Sequence, residues 1–161
     1  DRVKEALFNI VQFEVPGRKI LDLFGGTGQL GIEALSRGAE HCTFVDQRSD
    51  AVALIKNNLK VTGLSEKGRV FQGDSLGFLQ TCGEKFDVIF LDPPYRADLL
   101  ERAVEAIAAF DILREHGIMV CESALDKVLP TLEAPYERGK EYRYGKIKLT
   151  IYRRTGRDLH Q

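Results

Sequence analysis

An α/β fold, a parallel sheet wrapped on both faces by helices, is what this chain of 161 residues predicts, on three observations. Short apolar runs alternate with helix-periodic segments, the pattern of repeated strand and helix units. A glycine-rich turn follows the first run, and two strand-like segments close the chain about Gly145.

Arg2 to Phe13 is helical in pattern, with Val3, Leu7, Ile10 and Val11 on one side, and Pro16-Gly17 breaks it. Lys19 to Phe24 (KILDLF) is apolar enough for a strand buried on both faces. Helix 28–37 follows, then strand 41–46, helix 49–62, strand 68–73, helix 75–81, strand 86–91, helix 97–109 and strand 117–122. Strand, crossover helix and parallel strand, repeated, put helices on both faces of one sheet. The end of the chain departs from this pattern. Tyr136 to Tyr144 and Lys146 to Arg154 read as an antiparallel pair, with Ile147, Leu149 and Ile151 alternating on one face. No linker, internal repeat or low-complexity tract interrupts the series, so residues 1–161 are expected to form a single domain.

Composition excludes several classes. At 43% hydrophobic the chain can bury a substantial core. It has no apolar run that could span a bilayer and opens without a signal-peptide pattern, so a cytoplasmic protein is expected. Cys42, Cys82 and Cys121 are odd in number, far apart and flanked by apolar residues, which reads as small buried hydrophobes in a reducing compartment. His41, His116 and His160 are isolated, and no metal is expected. The net charge of −1 argues against a general polycation. Its distribution is uneven: from Leu129 onward 8 Lys and Arg stand against 4 Asp and Glu. The basic residues concentrate in Arg138 to Arg157, interleaved with Tyr142, Tyr144 and Tyr152 and preceded by Tyr136. Such a strip suits phosphate neutralisation and base stacking, and equally the solvated outer face of a terminal hairpin.

Two motifs concentrate the chemistry. Asp92-Pro93-Pro94-Tyr95 ends the apolar run FDVIFL. Prolines fix φ and carry no N–H, so the turn is stiff, supplies carbonyl acceptors and offers no competing donor. Asp92 and the Pro93 carbonyl can accept from a planar amino group while the Tyr95 ring stacks on its plane. Such a nitrogen, in a nucleobase or carboxamide, is a poor nucleophile because its lone pair is delocalised. Acceptors favour the localised, more tetrahedral lone pair that methyl transfer needs. An ordinary proline turn after a strand would read the same in these four residues.

Upstream, Gly25-Gly26-Thr27-Gly28-Gln29-Leu30-Gly31 contains a G-x-G-x-x-G between strand and helix. Glycines there let the backbone turn tightly and approach a ligand, and the helix begins with free N–H groups. Asp46 closes the next strand about 20 residues on, where a carboxylate accepts from ribose hydroxyls or serves as a strand-end or capping acid. Asp22 lies in the strand that feeds the loop. An acid there would repel a pyrophosphate and suit the amino and sulfonium groups of S-adenosylmethionine, which favours that cofactor over NAD. A carboxylate accepting loop N–H groups is the structural alternative.

The segments KILDLFGGTGQLGIEALSRGA, VDQ, GDS, FDVIFLDPPY and YGKIKLTIYRR resemble the RsmD family, over Asp1 to about Arg154. These are bacterial methyltransferases that modify the exocyclic N2 of a guanine in small-subunit (16S) ribosomal RNA. The resemblance implies a class I S-adenosylmethionine-dependent methyltransferase fold, Rossmann-like, with a seven-stranded, mostly parallel sheet and an antiparallel last strand. First and fourth strands would then end side by side at the switch point. It further implies that Asp22 and the loop at Gly25, Gly26, Thr27 and Gly28 hold the methionine part of S-adenosylmethionine. Asp46 would take the ribose hydroxyls, Asp74, beside Ser75, the adenine amino group, and Asp92, Pro93, Pro94 and Tyr95 the guanine. Gly25, Thr27 and Gln29 stand where the family commonly has small residues, and Cys121-Glu122-Ser123 replaces a more usual Val-Glu-His. Family members carry a basic segment ahead of the helix with which this sequence opens, so a shortened form is expected. A monomer acting on small-subunit ribosomal RNA, free or assembled, is the implied state. Two further classes fit the residues: an amino-group methyltransferase on DNA adenine or protein glutamine, and a nonenzymatic S-adenosylmethionine or nucleotide-binding module. An NAD oxidoreductase fits less well.

Overall fold

A computed structural model describes residues 1–95 and 98–156. Ala97, at the start of the expected helix 97–109, and Arg157 and His160 lie outside the described residues. The elements are α1 (Arg2–Ile10), β1 (Lys19–Asp22), α2 (Gln29–Ser36), β2 (His41–Asp46), α3 (Ser49–Val61), β3 (Gly68–Gln72), α4 (Ser75–Thr81), β4 (Phe86–Leu91), α5 (Leu99–Ala109), β5 (Leu113–Ala124), β6 (Tyr136–Tyr144) and β7 (Ile147–Arg154). They build one seven-stranded sheet in the order β3-β2-β1-β4-β5-β7-β6. Only β7 runs against its neighbours, pairing antiparallel with both β5 and β6. The expected sheet, including its antiparallel last strand, is therefore the observed one.

Alternation along the central strands divides the core. Leu21, Ile89, Leu91, Met119 and Cys121 face α4 and α5 through Phe78, Leu79, Leu100, Val104 and Ile107. Their neighbours Ile20, Val88, Phe90, Ile118 and Val120 face α1, α2 and α3 through Phe8, Leu35, Ile55 and Leu59. Ile20 and Leu21 in β1 and Val88 to Leu91 in β4 are apolar at successive positions, which leaves neither strand a solvent face there and puts both in the middle of a sheet covered on both sides. They pair in parallel, Ile20 with Val88 and Asp22 with Phe90, and their carboxyl ends open side by side.

Two boundaries differ from the sequence pattern. The first helix stops at Ile10 because Val11 and Val15 are both drawn fully into the core by a turn, which leaves Phe13 84% exposed. The fifth strand begins at Leu113, not at Gly117: Phe86 pairs with Leu113, Val88 with Ile118, and the intervening residues bulge, with His116 at φ 65. A bulge of this kind hides the start of a strand from a periodicity argument.

The basic and aromatic strip is not continuous. Strand alternation turns Tyr136 and Tyr152 into the core, and Lys148 is buried with its ammonium 3.0 Å from Glu141. Arg153 and Arg154, at the far end of β7, pair with Glu14 and Asp111. Arg143 and Lys146 remain exposed beside the hairpin turn.

At the amino-terminal end of the parallel strands Asp111 ties three segments together. Arg154 reaches its two oxygens at 2.8 and 3.0 Å, Lys85 at 2.8 Å and the Tyr136 hydroxyl at 2.7 Å. The same hydroxyl accepts from the Leu113 N–H at 3.2 Å. The Arg154 guanidinium, with Lys85 and Tyr136, holds the Asp111 carboxyl well below the usual carboxylate range. Stability from such a depressed group is present above the ordinary carboxylate pKa of about 4 and is lost as pH falls toward the folded-state value. Asp111→Ala should therefore lower stability by about 1–3 kcal/mol near neutrality, by leaving Arg154 and Tyr136 without their acceptor. In denaturant titrations the gap between wild type and variant should persist from pH 7 to 5 and narrow only below about pH 4.

Candidate functional site

Two cavities open along the carboxyl edge of the sheet and share Asp92 and Pro94. The first, of about 470 Å³, is walled by Leu23, Gly26, Asp46, Asp74, Ser75 and Leu99, among others. The second, of about 420 Å³, is bounded by Asp92, Pro93, Pro94, Tyr95, Glu122, Ser123 and Lys127, among others. Their common wall lies where strand order reverses between β1 and β4, the place at which an open α/β sheet forms its ligand crevice.

The glycine loop shapes one side of the first cavity. Gly28 is at φ 81 immediately before α2, and a Cβ on Gly31 would meet the Phe44 ring at 2.3 Å. The first glycine makes the turn and the second lets the helix lie against β2. Of the loop residues Gly26 forms part of the cavity wall, with its N–H donating to Asp46 at 3.0 Å. Gly25 and Gly28 are buried behind it, and the exposed Thr27 accepts from Asn58 through its carbonyl. Asp46 also accepts from the Arg48 N–H at 2.9 Å, which leaves two of a carboxylate's roughly four lone-pair sites open to a ligand.

Asp22 takes the role of a loop anchor. It is 2% exposed and accepts from the Gly31 N–H at 3.1 Å. Burial, partly offset by that bond and reinforced by Asp92 and Asp46, pushes its carboxyl up to about 7. Asp74 caps α4 by accepting from the Gly77 N–H at 2.9 Å, and Ser75 follows it, almost fully buried. The wall thus gathers Asp46, Asp74 and Asp92 against one arginine, Arg48, which itself leans on Asp46 and Asp50. Such a lining suits a donor-rich or cationic ligand and opposes a pyrophosphate.

In the second cavity the Tyr95 ring is 86% exposed, free to meet a flat partner from outside. Asp92 has its carboxyl raised by burial. Glu122 lies beside it, since Leu91 pairs with Cys121 one residue earlier, and burial together with Asp92 pushes its carboxyl up to about 7. Glu122, Ser123 and Lys127 were not among the expected site residues. A signal for Glu122 was present: the apolar runs end KILD, TFVD, IFLD and MVCE, each in an acid at the carboxyl edge.

Among the described residues no group of three or more His, Cys, Asp and Glu is placed to hold a metal ion. No described helix is long and apolar enough to cross a membrane.

The family described as Conserved hypothetical protein 95 matches residues 1–153. The chain is similar to ribosomal RNA small subunit methyltransferase D of Escherichia coli K12, with 33% identity over 155 residues, 96% of this chain and 77% of that protein. It is similar also to the protein of that name from Haemophilus influenzae, with 38% identity over 136 residues, 83% of this chain and 70% of that one. Among solved structures, a conserved hypothetical protein of Streptococcus pyogenes superposes with a TM-score of 0.86 at 33% identity, covering 94% of each chain.

The burial of Asp22 has a measurable consequence. A carboxyl raised from its ordinary value of about 4 adds stability below that pH and loses it as pH rises through the folded value near 7. Asp22→Asn keeps the acceptor for Gly31 and removes the ionisation. Its unfolding free energy should fall less between pH 4 and 7 than that of the wild type, by on the order of 2 to 4 kcal/mol, in denaturant titrations.

Proposed function

The chain belongs to the RsmD family, described as Conserved hypothetical protein 95, and we propose that it transfers a methyl group from S-adenosylmethionine to the exocyclic N2 of a guanine in small-subunit ribosomal RNA. The observation that carries this reading is the meeting of two cavities at one stiff turn, Asp92-Pro93-Pro94, so that a donor on one side and an acceptor base on the other address the same atoms. A cytoplasmic, monomeric enzyme without a metal is part of the same reading.

S-adenosylmethionine supplies the methyl group as an electrophile on positively charged sulfur. This chain's residues bind and orient. Asp46 offers its open lone pairs to ribose hydroxyls, Asp74 with Ser75 faces the adenine end, Asp22 keeps the loop of Gly25, Gly26, Thr27 and Gly28 in shape, and Asp46, Asp74 and Asp92 bias the crevice toward cations. On the other side Asp92 and the Pro93 carbonyl accept from the amino group, and Tyr95 stacks on the base. Charge develops on the attacking nitrogen, so acceptors fixed there act more strongly in the transition state than in the ground state. Once methylated, the nitrogen loses its proton readily to water or to Asp92, so a strong base is not required.

The hairpin of β6 and β7 brings its tip to the same end of the sheet. Ile147 pairs with Ala124, directly after Glu122 and Ser123, and Lys146 accepts from Leu125 through its carbonyl. Lys146 therefore stands near the Ala124 side of the second cavity, and Arg143, one strand further out opposite Lys148, borders a separate hollow with Glu141, so that phosphates next to an inserted base would meet Lys146 first and Arg143 beyond it.

S-adenosylmethionine and its demethylated product should raise the melting temperature whereas NAD should not, and Asp46→Ala should weaken cofactor binding by at least about tenfold. A shift with NAD alone would overturn the cofactor assignment. In single-turnover methylation of small-subunit ribosomal RNA at saturating cofactor, Asp92→Ala should lower the rate by about 100- to 1,000-fold with cofactor affinity retained. Tyr95→Phe should keep much of the activity, because stacking needs only the ring.

Charge reversal at Arg143 and Lys146 together should weaken RNA binding and reduce its salt slope by about 2, as two lost phosphate contacts release correspondingly fewer counterions. An unchanged slope in binding titrations would remove the hairpin from the RNA interface.

A further inference from the structure

We infer that Glu122 accepts the N1–H of the target guanine beside Asp92 at N2, and is the residue that admits guanine to the second cavity while refusing other 2-aminopurines. This rests on the guanine N2 reading above and extends it to how the base is selected.

Strand register places the two acids together. β4 and β5 are parallel neighbours with Leu91 opposite Cys121, so Asp92 and Glu122 are the next residues along adjacent strands, and both line the cavity of about 420 Å³. Asp22, Asp46 and Asp74 are each engaged by backbone N–H groups. Asp92 and Glu122, by contrast, have no side-chain hydrogen bond or ion pair among the described residues. Lys127, in the same cavity, is held by Glu101 at 3.0 Å. Glu122 is half-buried and Asp92 stands more open beside it, and two like charges side by side without donors are an unfavourable arrangement unless something else supplies the donors. Burial and Asp92 have already raised the Glu122 carboxyl.

The complement is specific. Guanine presents two adjacent donors on its Watson–Crick edge, N1–H and the N2 amino group, and enzymes that take a base into a pocket read that edge. Adenine and cytosine place an acceptor at the ring nitrogen next to their amino group, and uracil has a single N–H between two carbonyls. Two acceptors side by side therefore fit guanine and reject the others. 2,6-Diaminopurine separates this idea from a mere amino-group clamp: it keeps the 2-amino group that receives the methyl but offers a lone pair at N1. At an assay pH above the raised Glu122 value, where the side chain is ionised, that lone pair is repelled by the carboxylate, whereas the amide of Glu122→Gln can donate to it at nearly unchanged side-chain size.

The test uses small-subunit ribosomal RNA in which the methylated guanine has been located by mass spectrometry, and the same RNA carrying 2,6-diaminopurine at that position. Wild type should prefer guanine in kcat/KM by on the order of 10- to 100-fold, the discrimination expected of one well-placed base contact. Glu122→Gln, whose amide oxygen can still accept from N1–H while its NH2 can donate to the lone pair of 2,6-diaminopurine, should keep part of its activity on guanine, gain on 2,6-diaminopurine and bring the ratio toward one, with S-adenosylmethionine affinity unchanged. Guanine methylation at N2 with equal use of both bases by wild type would overturn the inference and leave the proposed function standing. The same holds if the preference survives unchanged in Glu122→Gln. Absence of any methylation of guanine RNA by wild type would remove the proposed function and this inference together.

Discussion

Carboxylates crowded along one edge of a sheet repel each other and resist desolvation, and the arrangement of this molecule depends on how it manages that cost. Asp22, Asp46, Asp74, Asp92 and Glu122 all lie at or just beyond the carboxyl ends of parallel strands. Three of them are engaged by main-chain donors: Gly31 to Asp22, Gly26 and Arg48 to Asp46, and Gly77 to Asp74. Hydrogen bonds of this kind stabilise the charged form and at the same time fix the glycine loop and the start of α4. The remaining two, Asp92 and Glu122, line the second cavity and have no side-chain hydrogen bond among the described residues. Asp46 and Asp74 do both, holding the main chain with one part of their acceptor capacity while lining the first cavity.

The opposite end of the sheet carries a different solution to the same problem. There Asp111 is saturated by Arg154, Lys85 and Tyr136, and the result joins the loop before β5 to β6 and β7. A strand pair added antiparallel at an edge has no crossover helix to fasten it. The Asp111 cluster and the Tyr152 hydroxyl, bonded to the Pro130 carbonyl at 2.6 Å, provide that fastening. With β7 fixed along β5, the tip of the hairpin stands beside the second cavity.

Much of this architecture was legible in the sequence, because its causes are local. Alternation of apolar strands and amphipathic helices sets the sheet, and the glycine loop and the proline turn mark the two strand ends that meet. The basic strip misled for a physical reason: in strands the neighbours of a solvent-facing arginine point inward, so a run read as one surface was divided between two faces and a core. Bulges at the start of β5 were hidden because irregular residues carry no period. Glu122 was passed over since its neighbour Asp92, just past the last ladder pair of Leu91 with Cys121, lies 30 positions earlier, and adjacency of that kind exists only after the strands pair. The anchoring role of Asp22 was one of two readings its position allowed, and the hydrogen bond to Gly31 shows how it is used in the fold.

The wall shared by the two cavities has a thermodynamic meaning. Because Asp92 and Pro94 face both, a ligand on one side that displaces or braces this turn alters the surface offered to the other. Any such influence is reciprocal: the factor by which bound cofactor changes affinity for the base equals the factor by which bound base changes affinity for the cofactor. Prolines make the turn stiff, so a displacement imposed on one side is passed to the other with little absorbed in between. On the proposed reading, spent and fresh cofactor differ by one methyl group and one charge beside this wall. On that reading, an RNA still lacking its methyl group and one that has just received it would meet two chemically different partitions at the second cavity.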